Sequence, residues 1–236
     1  MLISPAIGSF LGVLIRRLPA EQTVAWDRSR CEACGHVLSP GELVPIASFL
    51  WQRGKCRACG TPIAPFHLWV ELAALGVALW ATSVDQGTRL WADCILGWGL
   101  LALAWIDAEH MILPDLLTLP LILLGLGWSA VAEPEALTDR AVGAAAGYLL
   151  FRAVELGYRR LRGRDGLGEG DAKLLAAAGA WVTWRGLGAV VLLAALSGIG
   201  VAIIQAIRGR SLTATTAIPF GPCLAAATWV VWLYLV

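Results

Sequence analysis

GEGDAKLLAAAGAWV, residues 168–182, sets a carboxylate, Asp171, at the mouth of an apolar run from Leu174 to Val182. Water is scarce beside such a run, so a charge there must be matched or surrendered as a proton. Gly168 and Gly170 flank the acid. Glycine reaches backbone conformations closed to other residues and leaves room for a second chain to lie alongside. Two readings fit the stretch. One is a carboxylate on an open backbone ledge at a membrane edge. The other is a glycine-rich turn capping a helix, with Asp171 as its N-terminal acid.

Outward from this stretch the chain is apolar for most of its length. Of 236 residues, 58% are hydrophobic and 15% charged, against about 45–50% and about 25% in a soluble domain. The expected class is an all-α polytopic membrane protein. The net charge of +1 offers no bulk basic character for nucleic acid. Trp69, Trp91, Trp105 and Trp184 fall near expected helix ends, as in an interfacial belt. Arg16 and Arg17 follow the first apolar segment instead of preceding it, the reverse of a secretory leader.

The apolar runs are Leu2–Ile15, Phe66–Ser83, Trp91–Ile106, Pro114–Ala132, Arg140–Tyr158, Asp171–Val182, Leu187–Ile207 and Ile218–Val236. They predict about eight transmembrane helices. The first and sixth are short against the usual ~17–25 residues. Pro114 suits a first helical turn, and Pro120 falls inside its helix, where a kink is expected. Three parts follow: a first membrane helix over 1–19, a small water-facing domain over 20–65, and a seven-helix membrane domain over 66–236. Taken alternately, one set of loops carries thirteen basic residues, including Arg28, Arg30, Arg53, Lys55, Arg57, Arg159, Arg160, Arg162, Arg164, Arg208 and Arg210. The other set carries Arg89, Arg140 and Arg185. The positive-inside bias makes the first set cytoplasmic and puts both termini outside.

Cys31-Glu32-Ala33-Cys34 and Cys56-Arg57-Ala58-Cys59 form two C-x-x-C knuckles, each followed by a glycine, Gly35 and Gly60. Four thiolates match tetrahedral zinc. The segment is too small to hold a core without a staple. Disulfides are the alternative, and a cytoplasmic loop disfavours them. Structural Zn2+ on Cys31, Cys34, Cys56 and Cys59 is the expectation. Cys94 and Cys223 lie in apolar runs and read as packing residues.

A second acid, Asp107, ends the third helix in Trp105-Ile106-Asp107-Ala108-Glu109-His110. The loop alternation places Asp107 at the cytoplasmic end of an inward-running helix and Asp171 at the cytoplasmic start of an outward-running one. The two acids therefore share a depth and a side. That is the arrangement of an aspartic protease: one acid, protonated, polarises the scissile carbonyl, and the other, ionised, takes a proton from water. Asp115 and Glu109 read as interfacial charges, with Asp115 bracing the turn after Pro114. Lys173 either snorkels to lipid phosphate or steadies the charge near Asp171.

The whole pattern resembles the type 4 prepilin peptidases, bifunctional leader peptidase/N-methyltransferases of type IV pilus and type II secretion systems. Gly8-Ser9-Phe10-Leu11 through Arg17-Leu18-Pro19 resembles the opening segment, and the two knuckles resemble the zinc domain. Glu71 falls where the family carries a glutamate after that domain. Ile106-Asp107 with Leu113-Pro114-Asp115-Leu116-Leu117-Thr118 resembles the first catalytic segment, and Gly168-Glu169-Gly170-Asp171-Ala172-Lys173-Leu174-Leu175 the second. Ile218-Pro219-Phe220-Gly221-Pro222 resembles the C-terminal signature. The resemblance implies that Asp107 and Asp171 are catalytic, supported by Gly168, Gly170, Lys173, Pro114, Asp115 and Glu71. It implies cleavage of the basic leader of prepilin or pseudopilin precursors at the cytoplasmic face of the bacterial inner membrane. It further implies methylation of the new N-terminus with S-adenosylmethionine. Membrane lipid is the other expected partner.

Two other classes remain as rivals. A presenilin-like or signal-peptide-peptidase-like enzyme also uses Gly-x-Gly-Asp, but carries a Tyr-Asp pair and a Pro-Ala-Leu segment where this chain has Ile106-Asp107 and Ile218-Pro219-Phe220. A proton-coupled carrier would use the acids as relays, yet such acids tend to lie mid-membrane in longer chains with internal repeats.

Overall fold

The computed structural model describes residues 3–24, 28–163, 168–209 and 218–236. Leu2, Arg164 and Arg210 lie outside the described residues, as does the side chain of Arg162. Among the described residues the fold is helical, with no strand beyond two isolated bridges, Arg30 with Val37 and Lys55 with Pro62. The chain divides into two compact units, residues 1–98 and 99–236.

In the first unit, α1 (Ser4–Arg17) and α3 (Phe66–Val84) pack antiparallel. Small residues on α1 let the backbones touch: a Cβ on Gly8 would lie 2.6 Å from Glu71 Cα, and one on Gly12 would lie 3.3 Å from His67 Nδ1. One turn further on, the Arg16 guanidinium sits 4.0 Å over the Phe66 ring. Between these helices run a 3-10 turn, Pro40–Leu43, and a short helix α2, Ala47–Trp51. The two cysteine knuckles are conformational copies. Cys31 N–H bonds His36 O at 2.9 Å and Gly35 N–H bonds Cys31 O at 2.9 Å; Cys56 N–H bonds Thr61 O at 2.8 Å and Gly60 N–H bonds Cys56 O at 2.9 Å. Gly35 and Gly60 close the turns at φ +71° and +73°, a region that costs most side chains about 1–2 kcal/mol.

α4 (Arg89–His110) begins in the first unit and ends in the second. In the second unit follow α5 (Asp115–Ala132), α6 (Leu137–Arg162), α7 (Glu169–Ile207) and α8 (Gly221–Leu235). Phe66–Val84, Arg89–His110, Asp115–Ala132 and Glu169–Ile207 are long and apolar enough to cross a membrane, and Gly221–Leu235 is a shorter apolar helix. α5 continues as one helix through Pro120. α6 starts earlier and ends later than the sequence pattern predicts, because its polar first and last turns extend beyond the apolar run.

α7 is two helical arms broken at one residue, Thr183, at φ 64° and ψ 173°. The sequence predicts two helices with a short link here, and the link is a single residue. The arms are bent at this residue, and both reach the same neighbouring segments. The turn after Asp107 rests on Gly170 of the first arm, a Cβ there lying 2.9 Å from Leu113 Cβ, Asp107 bonds Gly221, and the neighbouring Phe220 ring packs 3.7 Å from where a Gly198 Cβ would stand on the second arm. A straight helix would hold residues 171 and 198 about 40 Å apart at ~1.5 Å per residue.

The first arm is the core of this unit. Ala172 and every residue from Leu174 to Val182 are buried, as expected of a helix apolar on all faces. Glycines on α6 admit it. A Cβ on Gly147 would lie 2.5 Å from Leu175 O, and one on Gly143 would lie 2.6 Å from Gly179 O. From the other side Trp181 packs against Gly125, donates its Nε1–H to Leu121 O at 2.9 Å, and meets the Trp232 ring edge-on at 5.2 Å.

Candidate active site

Asp107 lies in the last turn of α4 and is 6% exposed. The helix stops just beyond it because Met111 takes a left-handed φ of 58° while its N–H bonds Asp107 O at 2.9 Å. The chain then turns through Leu113 to Pro114, the N-cap of α5, whose carbonyl receives the Leu117 and Thr118 N–H groups. Asp107 Oδ2 accepts the Gly221 N–H at 2.8 Å. Phe220 supports that contact by packing against Phe151 of α6, ring centroids 6.2 Å apart.

Asp171 is the third residue of α7, and Gly168 is its N-cap. The Gly168 N–H bonds Asp171 Oδ2 at 3.2 Å, so the capping geometry read from the sequence is present. It coexists with the approach of the turn that follows Asp107. Gly170 explains the approach. A Cβ there would lie 2.9 Å from Leu113 Cβ, so the turn leaving α4 rests directly on the N-terminus of α7.

Lys173 braces the same turn from outside. Its Nζ contacts Asp115 Oδ1 at 2.8 Å and Oδ2 at 3.0 Å, and Glu169 at 3.1 Å. Its charge is thus committed to the first residues of α5 and α7. Glu109 accepts the Trp105 Nε1–H at 2.9 Å. Glu71 belongs to the first unit, where its buried carboxylate accepts the Ile46 N–H at 2.7 Å.

The Gly221 N–H is the partner that residue-by-residue reading of the sequence does not supply. Its signal was Pro219-Phe220-Gly221-Pro222 itself, a rigid turn with one glycine. A Cβ at 221 would stand 2.6 Å from Asp107 Oδ2, so a side chain and this hydrogen bond exclude each other.

Cys31, Cys34, Cys56 and Cys59 gather with their sulfurs within 4.8 Å of one another, and Cys31 and Cys59 Sγ are 3.9 Å apart. Tetrahedral zinc with bonds of about 2.3 Å requires sulfurs about 3.8 Å apart, whereas a disulfide needs about 2.05 Å. The four residues fit a structural zinc ion, whose bonds to the two knuckles would supply the staple that so small a domain lacks.

Fold and site define a class: a helical membrane protein with two carboxylates at helix ends and a four-cysteine cluster that could hold a metal ion. The pattern of the bacterial peptidase A24 N-terminal domain matches residues 2–84, and that of the type IV leader peptidase family matches residues 94–203. The chain is 35% identical to a protein of Pseudomonas aeruginosa, 38% to one of Aeromonas hydrophila and 36% to one of Dichelobacter nodosus, each named prepilin leader peptidase/N-methyltransferase. These matches span 99% of this chain and 89%, 89% and 90% of the relatives. No solved structure matches. The chain belongs to the type IV leader peptidase family, and is a protease by that membership.

Proposed function

We propose that this protein cleaves the leader of prepilin-like or pseudopilin precursors at the cytoplasmic face of the inner membrane, with Asp107 and Asp171 as the catalytic pair. The relatives' names support the substrate class. What supports the mechanism is that two acids from distant parts of the chain lie on segments that touch through Leu113 and Gly170, each acid held by a backbone N–H, Gly221 for Asp107 and Gly168 for Asp171. The Asp171 carboxylate sits at a helix N-terminus, whose dipole favours negative charge. It is the base in this reading and Asp107 the acid.

Asp171 takes a proton as water adds to the scissile carbonyl carbon, and Asp107 hydrogen-bonds the carbonyl oxygen. The tetrahedral species collapses as the leaving amine receives a proton, restoring the pair. Gly168 leaves the ledge open, and Gly170 makes room for Leu113 of the turn after Asp107. Pro114, Asp115 and Lys173 hold the turn that joins the two acids. The substrate's apolar helix lies among the membrane helices, and its basic leader meets the acids at the inner surface.

In the membrane, about eight helical segments cross or enter the bilayer, the two arms of α7 counted separately. Segment 1–19 is the first helix, 20–65 the cytoplasmic zinc domain and 66–236 the protease domain, with both termini outside. Methylation of the new N-terminus with S-adenosylmethionine is proposed from the relatives' names alone. Glu71, a supporting residue in this reading, accepts the Ile46 N–H at 2.7 Å.

The test is purified full-length protein in detergent with a prepilin-like substrate, the product read by mass spectrometry. A cut between the basic leader and the apolar segment is expected. An intact substrate would overturn the reading in favour of a carrier, which works only across a sealed membrane.

A further inference from the structure

The segment between the knuckles carries apolar surface with no function in the protease reading. α2 exposes Ala47, Leu50 and Trp51, the i, i+3, i+4 positions of one helical face. Leu50 is 63% exposed and Trp51 89%. Phe49, on the other side, packs toward the knuckle, its ring 3.1 Å from where a Gly54 Cβ would stand. Leu43 and Val44, which lead into α2, are exposed as well.

The basic residues lie beside this face. Arg53, Lys55 and Arg57 are all exposed, and no Asp or Glu occurs between Leu43 and Val70. Trp51 forms a wall of a groove of about 660 Å³ that Ser48, Gln52, Lys55 and Arg57 also line. Glu42 is the acid at that groove, and its carboxylate is engaged by the Ser39 N–H at 2.9 Å and the Ser39 hydroxyl at 2.7 Å.

The depth of the segment follows from its tether. The Ile46 N–H, the N-cap of α2, is fixed to Glu71 at 2.7 Å. Glu71 is the sixth residue of α3, about 7.5 Å along a helix that rises ~1.5 Å per residue. α3 is long and apolar enough to span. The tether therefore draws α2 down beside the second turn of a membrane helix, at interfacial depth.

We infer that α2 is an interfacial helix that docks on anionic phospholipid of the cytoplasmic leaflet, with Leu50 and Trp51 in the headgroup–acyl boundary and Arg53, Lys55 and Arg57 on lipid phosphates. An apolar face with a tryptophan and flanking cations is the chemistry of such a contact. The inference rests on α3 as a membrane helix and on the cytoplasmic placement of this loop. It does not depend on the aspartate mechanism, and its readout involves no cleavage.

The experiment uses the full chain in nanodiscs of phosphatidylethanolamine and phosphatidylglycerol. Trp51→p-benzoylphenylalanine and, separately, Leu50→p-benzoylphenylalanine are photolysed, with Ala33→p-benzoylphenylalanine as an exposed position on the first knuckle. Zinc content of one ion per chain certifies the fold of each variant. Lipid adducts at 50 and 51, at least fivefold above position 33, are expected. Their yield should fall about fivefold or more in pure phosphatidylcholine, given three cations near an anionic surface. Adducts to protein in place of lipid, or equal yields at all three positions, would overturn the docking. Equal yields in the two lipid mixtures would overturn its anionic character.

Discussion

At the scale of single residues, the site depends on what a glycine omits. Gly221 donates to Asp107 and has no space for a side chain, since a Cβ would stand 2.6 Å from Oδ2. Gly221→Ala must displace the carboxylate or the turn. A misplacement of about 1 Å costs on the order of 100-fold in rate. We expect kcat for leader cleavage to fall about 10- to 100-fold while zinc content and helicity stay unchanged; an unchanged kcat would show that the contact is idle. Outside the membrane, Ser39 holds Glu42 down to about 2 through its backbone N–H and hydroxyl, with His36 adding to the effect. A lowered carboxyl stabilises the fold fully above its ordinary value near 4.5, and that contribution fades as pH falls through about 2. Titration of Glu42 by carboxyl NMR should give a midpoint well below 4; a midpoint near 4.5 would mean the Ser39 cap does not form. Asp107, Asp171 and the four cysteines are legible in the sequence as candidates because their types and spacings suggest their chemistry. Gly221 is not, because its contribution is a backbone N–H that any residue but proline has.

At the scale of elements, the first arm of α7 is held by glycine contacts that periodicity does not reveal. The apolar run shows a helix, but a run apolar all round has no marked face, so its neighbours cannot be read from it. The structure supplies them: Gly143 and Gly147 of α6 on one side, Gly125 of α5 under Trp181 on another. Gly147→Val puts a branched side chain where a single Cβ is already 2.5 Å from Leu175 O. Overpacking of this kind costs about 1–3 kcal/mol. Gly157→Val, at a position of the same helix with nothing within 4 Å, is the matched control. A thermal melt in detergent should show a clear drop for the first and little change for the second. Equal melting temperatures would refute close packing of α6 on α7. The break at Thr183 was legible as a link between two apolar runs, though its reduction to one residue was not. The loop alternation puts Arg140 among the basic loop residues, yet it is fully buried, paired with Glu133 and stacked 5.2 Å from the Trp232 ring. Burial of a cation depends on partners from other elements, which a local reading does not see.

At the scale of the molecule, two kinds of cohesion divide the chain. The membrane helices bury apolar surface and small-residue contacts, whereas the knuckles have four gathered thiols in place of a core. Metal removal should therefore act on one part. A strong chelator, or acidification that protonates the thiolates, should release one zinc per chain and open amide exchange across residues 28–63. Exchange in α7 should stay slow. Uniform loss of protection along the chain would contradict this division. In the proposed mechanism Asp107 and Asp171, far apart in sequence, act as one unit. The most direct measurement is single-turnover cleavage of a prepilin-like substrate by purified Asp107→Asn and Asp171→Asn proteins whose melting temperatures and zinc content match the parent. Each substitution alone should abolish product, and the double variant should be no worse than either. Measurable turnover in either single variant would contradict the account.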